Sequence, residues 1–430
     1  MTPEARLAQF ALTAEPRGDA RVVMELSLID WAACAMAGTS EPVSRILRAH
    51  VAGEGRGATL VGGGQTSPTR AALANGATSH ALDYDDTHFA HIGHPSVAVV
   101  PAALAIAETT GADFDALLDA TLIGAEASVR VGVWLGRGHY ETGFHQTATA
   151  GAFGATLAAC RLLGLDADQT VTALGLAATR SSGLKSQFGT MGKPMNAGLA
   201  AETGVDAALL SARGMTSNAQ ALSGPQGFGP THQGAADPTA LAGLGEDWLM
   251  ETVSHKFHAC CHGLHASLEA LGQLRDRVDP ARLDQIVITT HPRWLKVCNI
   301  AEPATGLEAK FSYRLTAAMA LSGVETAAIS SYTDALCIDP DLLTLRNKVR
   351  VETDDTLAET AARVVLHEVG ETLEARHDLD APVPLDQRTN KIEEKARALL
   401  GEARASAVIG AIRERSLRQL VGELSYDVSS

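Results

Sequence analysis

The chain has 430 residues, 46% of them hydrophobic and only 4% aromatic, and a formal net charge of −15. Such a length allows two or three domains around ample cores, and the acidic balance argues against nucleic acid and anionic membrane surfaces, which need basic patches. Small molecules or other copies of the chain are the expected partners. No basic, apolar leader opens the sequence and no run of about 18 uninterrupted apolar residues appears, so a soluble cytoplasmic protein is expected. The six cysteines are scattered rather than framework-like and are expected to be reduced.

Up to about Leu249 the pattern is helical. Arg21 to Met36 carries apolar residues at helical spacing and stops at Gly38. Ser96 to Ala107, Asp113 to Val133 and Ala148 to Leu163 continue the series, the last with Gly151 and Gly154 suited to tight helix crossing. Near residue 250 the texture changes. Asp284 to Thr290, Lys348 to Glu352 and Ala362 to Glu368 have the β-branched content of strands, with a helix from Leu315 to Leu321 among them. Lys391 to Leu420 is helical again. The expected fold is therefore mainly α: a large all-helical domain over 1–249, joined by the C-terminal segment 389–430, and a smaller α+β domain over 250–388.

The chemistry is concentrated in Asn75 to Ala102, where four histidines and three aspartates lie between apolar segments. Burying so many ionisable groups is costly unless each is paired, which marks one wall of an active site. Asp85, Asp86, His88 and His91 read equally well as a solvated helix end in which aspartates cap amides. His94 differs, because Gly93 and Pro95 fix a turn that aims its imidazole. His145 precedes a small-residue helix whose free amides attract anions, and Lys193 lies in a glycine-rich, proline-terminated loop.

A second cluster spans Ser254 to Ala266. His255, His258, His262 and His265 would share one face of a helix, with Lys256, Cys260 and Cys261 among them. A zinc site is weighed here, but paired cysteine spacing and HExxH are both missing. No metal and no cofactor is expected, and phosphate-binding glycine loops are not found. Lys256 is suited to gripping a carboxylate as a point charge.

The segments NGATSHALDYDDTH, GHPSVAVVPA, GFHQTATAGAFGA, FGTMGKPMNAG, HKFHACCHGLHA and EAKFSYR resemble the MmgE/PrpD family in order and spacing, from about residue 5 to the C-terminus. The resemblance implies dehydration, decarboxylation or epimerisation of small polycarboxylates without a cofactor, and a homodimer built through the helical domain. It implies catalytic roles for Asp83, His94, His145, Lys193 and Lys256, with substrate contacts from Thr87, Arg314, Tyr313 and His258. Arg314 stands where decarboxylase and dehydratase members carry a tyrosine, and one extra residue separates Thr87 from His94. The FGTM and EAKFS segments resemble the epimerase branch more closely. The residue types fit independently: a proton leaves or joins carbon beside a carboxylate, cations stabilise the enolate-like charge, and a histidine moves the proton. In that scheme His94 is the base, oriented by Asp83 and Thr87, and His145 donates a proton. A metal-dependent hydrolase built on the histidine clusters and a catalytically silent polycarboxylate-binding homologue are the alternatives.

Overall fold

The computed structural model describes residues 1–368 and 370–426. The chain divides into two compact units, Met1–His255 with Ile392–Ser430, and Lys256–Lys391.

The first unit is helical: α1 (Pro3–Thr13), α2 (Asp19–Ala37), α3 (Pro42–Val51), α4 (Pro68–Ser79), α5 (Ser96–Thr110), α6 (Phe114–Thr142), α7 (Gln146–Leu163), α8 (Ala167–Arg180), α9 (Gly192–Ala212) and the short α10 (Phe228–Thr231). A two-stranded ribbon, β1 (Ala58–Thr59) and β2 (Gln65–Thr66), interrupts them. Helices α4, α5, α7 and α9 pack on one another and α6 packs on α7. Alanine and glycine at the crossings let the backbones approach: a Cβ on Gly154 of α7 would lie 2.3 Å from the Gly124 carbonyl of α6. Helix α6 runs past the expected end at Val133, but Gly136 at φ 75° breaks it one turn later. Helix α2 is long and apolar enough to cross a membrane by composition, yet 83% of its most apolar window is buried inside the fold, so packing already uses that hydrophobicity.

The second unit holds α11 (His265–Gly272), β3 (Leu283–Thr290), α12 (Gly306–Ala309), α13 (Tyr313–Leu321), α14 (Asp334–Cys337), α15 (Pro340–Arg346), β4 (Val349–Thr353), β5 (Ala361–Glu368) and β6 (Glu371–Asp378). The sheet order is β4-β3-β5-β6; β3 pairs with β4 in parallel and the other pairs are antiparallel. Helix α11 packs against β5 and β6, and α13 against α11 and β4. This is the mainly helical fold with a smaller α+β part. Strand β6 escaped the sequence reading because only Leu373 and Ala375 of its eight residues are buried. The expected C-terminal helix is three: α16 (Leu385–Leu400), α17 (Glu402–Arg413) and α18 (Leu417–Leu424). Gly401 and Arg415, with φ of 76° and 55°, make the breaks.

Candidate active site

The site of the first unit is built on the turn that ends α4. His80 closes that helix, and Asp83 adopts φ 51°, a left-handed conformation that aspartate tolerates better than most residues. Beyond it the chain makes the closed loop 88–93, where His88 N–H donates to the Gly93 carbonyl at 2.9 Å. Gly93 is required by contact, since a Cβ there would stand 2.8 Å from the Thr147 nitrogen at the start of α7. The His94 N–H then donates to Thr147 Oγ1 at 3.0 Å, which seats His94 on the first turn of that helix.

Five side chains converge there. His94 Nδ1 lies 2.7 Å from Asp85 Oδ2, and its Nε2 lies 3.5 Å from Asp83 Oδ1. Asp85 Oδ1 accepts from His80 Nδ1 at 2.8 Å, so one fully buried carboxylate bridges two imidazoles. Lys193, in the first turn of α9, sets its Nζ 2.6 Å from Asp83 Oδ2. Burial pushes the Asp85 carboxyl up, but His80 and His94 together overcome this and hold it well below the usual range. Asp85 is therefore an anion.

His145 is the N-cap residue of α7. Its Nδ1 accepts from the Asn196 amide at 3.2 Å, with the amide oriented to donate, which leaves its ring proton on Nε2. Burial, reinforced by the charges of His80, Lys193 and His94, pushes its pKa well down. It is a neutral hydrogen-bond donor. His80 stacks beside it with ring centroids 6.1 Å apart, and Phe188 meets it edge-on at 4.9 Å while lying 5.3 Å from Lys193 Nζ.

The structure corrects several expectations. Asp85, Asp86, His88 and His91 are buried rather than solvated. Asp86 nevertheless has the expected capping role, accepting from the Ser96 N–H at the start of α5, and burial pushes its pKa up to about 7. Burial beside His88 pushes His91 down to about 3. Asp85 lies against His94 Nδ1 and Asp83 against its Nε2, while Thr87 exchanges backbone hydrogen bonds with Ser254. His80 and Asn196 were missed entirely. His80 and Asp85 are five residues apart across a turn whose left-handed residue no spacing rule anticipates.

The second histidine cluster is not a helical face. Residues 256–261 are irregular, a 3₁₀ turn spans His262–Leu264, and an α-helix begins only at His265. In the vicinal pair, Cys260 N–H donates to the nearby His258 carbonyl and Cys261 N–H to the Lys310 carbonyl. His255 belongs to the first unit, where its Nε2 meets Ser27 Oγ at 2.9 Å. In the second unit, His258 is held between Thr326 Oγ1 at 2.7 Å and Glu269 Oε1 at 3.4 Å. Although burial opposes it, His258 and Lys391 bring the Glu269 carboxyl down to about 2. Lys256 is buried. Tyr313 is a core residue whose hydroxyl donates to the Gly263 carbonyl at 2.7 Å, so it is not a surface for substrate. Arg314, beside it in the first turn of α13, keeps a buried Nε without a hydrogen-bond partner among the described residues.

By residue type, His80, Asp83, Asp85 and His94 form a possible metal ligand set, their ligand atoms lying within 4.8 Å of one another.

The family model for the MmgE/PrpD N-terminal domain matches residues 5–240, and that for the MmgE/PrpD C-terminal domain matches residues 258–417. The chain belongs to the MmgE/PrpD family. Among its relatives in that family, cis-aconitate decarboxylase of Aspergillus terreus is 33% identical over 269 residues, covering 58% of this chain and 55% of that protein. The cis-aconitate decarboxylase-like protein oryM of Aspergillus oryzae is 30% identical over 284 residues, covering 60% and 58%. The human cis-aconitate decarboxylase is 28% identical over 302 residues, covering 66% and 61%. The matches thus span little more than half the length of these relatives.

Proposed function

We propose that this MmgE/PrpD chain is a cofactor-independent lyase acting on a small tricarboxylate, with decarboxylation of cis-aconitate as the leading reaction. One observation carries the reading: both ring nitrogens of His94 face carboxylates, Asp85 at 2.7 Å and Asp83 at 3.5 Å. A proton on each nitrogen is thereby stabilised, whereas His80 Nε2 and His145 Nδ1 offer no such partner for a second proton. In this reading His94 is the residue that carries the mobile proton.

Decarboxylation needs that state. The bond from carbon to a departing carboxylate breaks, carbon dioxide leaves, and the electron pair stays on the carbon skeleton, delocalised into a remaining carboxylate. His94 gives its proton to carbon and is left neutral, with Asp85 keeping the Nδ1 proton in place; solvent later restores the other. His145 Nε2–H and Lys193 stabilise the accumulating negative charge. Asp83 is 49% exposed at its side chain, so an incoming substrate carboxylate exchanges with it for Lys193. Lys256 is proposed to bind substrate from its place in the family motif, and a homodimer is proposed on the same basis.

The preference for epimerisation drawn from the FGTM and EAKFS segments becomes the second reading. Arg314, with a buried Nε that has no hydrogen-bond partner among the described residues, favours it, since a guanidinium stands where the resemblance implies a phenol and can bind a carboxylate through two hydrogen bonds. Proton NMR of products from cis-aconitate, citrate, 2-methylcitrate and iminodisuccinate separates the readings. Loss of carbon dioxide from cis-aconitate is expected. Inversion of iminodisuccinate with cis-aconitate untouched would replace decarboxylation by epimerisation.

A further inference from the structure

We propose that Lys395 is a positioning residue for the proposed reaction, gripping the Tyr84 backbone from behind so that Asp83 and Asp85 stay against His94; the inference rests on those three side chains belonging to the reactive site. Lys395, on α16, and Asp30, within α2, each have side chains 1% exposed, and Lys395 Nζ lies 2.5 Å from Asp30 Oδ1. The same ammonium donates to the Tyr84 carbonyl at 2.6 Å and stands 3.9 Å from the centroid of the Tyr84 ring. Tyr84 is buried as well. A single cation thus joins a C-terminal helix, an N-terminal helix and the turn that carries the site.

Stability alone does not call for this arrangement. Removing two charges from water is costly, and a pair of apolar residues often fills such a space equally well. What an apolar pair would not supply is a donor to the Tyr84 carbonyl. That carbonyl belongs to the planar peptide unit joining Tyr84 to Asp85, so fixing it fixes the plane from which the Asp85 side chain departs. On the other side, Asp83 is held at φ 51°, a conformation that persists where the surroundings enforce it. The ring and carbonyl of Tyr84 meet Lys395, while its two neighbours reach His94, at 2.7 Å from Asp85 and 3.5 Å from Asp83. The turn is tied at its start by the Asp83 N–H donating to the His80 carbonyl at 3.1 Å. At its end Asp86 accepts from the Ser96 N–H at 3.2 Å and from the Ser96 hydroxyl at 2.5 Å. Lys395 supplies the tie at Tyr84, between those two. Without it Asp85 is free to shift against His94, and a displacement of about 1 Å is enough to cost on the order of 100-fold in rate. Lys193 and His145 sit on α9 and at the start of α7, so substrate binding should suffer less than turnover.

The test uses the full chain and two variants. Lys395→Met with Asp30→Asn removes both charges together, so no buried ion is left unpaired, and the thioether can still pack on the Tyr84 ring. Asp30→Asn alone keeps the ammonium and its contact with the Tyr84 carbonyl. With cis-aconitate, the double variant is expected to lose about 10- to 100-fold in kcat with KM within about threefold. Asp30→Asn should stay within about threefold of wild type in both constants even where its Tm falls. Crystal structures of the substrate-free proteins are the second readout: in the double variant Asp85 should withdraw from His94 Nδ1 or Asp83 leave the left-handed region, and in Asp30→Asn neither should move.

A purely structural role for the ion pair predicts that activity follows Tm. Wild-type kcat in the double variant, or a loss in Asp30→Asn as large as in the double variant, therefore overturns the inference. An unmoved turn in the double variant overturns it whatever the kinetics. If the double variant does not fold, the fully apolar Lys395→Met with Asp30→Leu takes its place with the same expectations. A turn that moves, in a protein whose wild type leaves cis-aconitate untouched, would retain the positioning role and remove the decarboxylase reading, with the kinetics then read on whichever of citrate, 2-methylcitrate and iminodisuccinate is turned over.

Discussion

The molecule contains two histidine clusters of similar density, one in each unit, and they have been put to different uses. Around His80, His94 and His145 the imidazoles meet carboxylates, a lysine and each other, and Asp83 opens the cluster to solvent. Around His258, His262 and His265 the rings pack edge-on at about 5 Å, and ring nitrogens are spent on a threonine hydroxyl, a glutamate and a backbone carbonyl. Burial, together with the charges of His262, His258 and Lys256, pushes His265 well down, so it stays neutral. Histidine count does not identify a proton-transfer site. What sets the proposed site apart is a buried carboxylate bridging two rings, next to an exposed one.

Substitutions test this division directly. His94→Gln removes the proton carrier and should lower turnover by about 10²- to 10⁴-fold while leaving the circular dichroism spectrum unchanged; retention of more than a tenth of the activity would move the proton to another residue. Lys193→Ala should reduce kcat/KM at least roughly tenfold, the scale of one lost charge-assisted contact, and near-normal kinetics would take that lysine out of the site.

In the second cluster the same kind of change should act on stability. Glu269→Gln should leave kcat within about threefold but cost on the order of 3 kcal/mol at pH 7, estimated from the depression of the carboxyl to about 2. The sign follows from linkage: a depressed carboxyl contributes stability that is fully present above its ordinary value near 4.5 and lost as pH falls through about 2. The difference between wild type and variant in denaturant titrations should therefore shrink as pH drops across that window. A large kcat loss with unchanged stability would erase the distinction between the clusters.

The smallest effect concerns Asp86, whose pKa is raised to about 7 by burial. A raised carboxyl contributes stability that is present below its unfolded value near 3.8 and lost as pH rises through 7. Asp86→Asn carries no such titration, so relative to wild type it should gain about 1 kcal/mol or more between pH 5 and pH 8. A constant difference between the two proteins across that range would mean that Asp86 is already ionised.

Much of this was legible in the residues because helices with small, regularly spaced apolar positions and strands rich in β-branched residues announce themselves locally. Ser96 starts its helix where expected, and β3 and β5 fall within a residue of the expected spans. Strand β6 did not, since pairing with β5 rather than composition makes it a strand. In the site, His94 was visible from the glycine and proline that flank it. His80 was not, because its partner Asp85 reaches it only through the left-handed turn at Asp83. The false helical face at His255–His265 arose from the opposite cause: a spacing that suits a helix was placed in irregular chain, where tertiary hydrogen bonds decide the backbone.

The most direct measurement is proton NMR of the chelator-treated protein with cis-aconitate in deuterium oxide. Release of carbon dioxide with one deuterium on the carbon next to a remaining carboxylate, at a rate unaffected by chelation, is the predicted result. Unchanged cis-aconitate, or turnover that disappears on chelation and returns with zinc, would contradict proton delivery by His94.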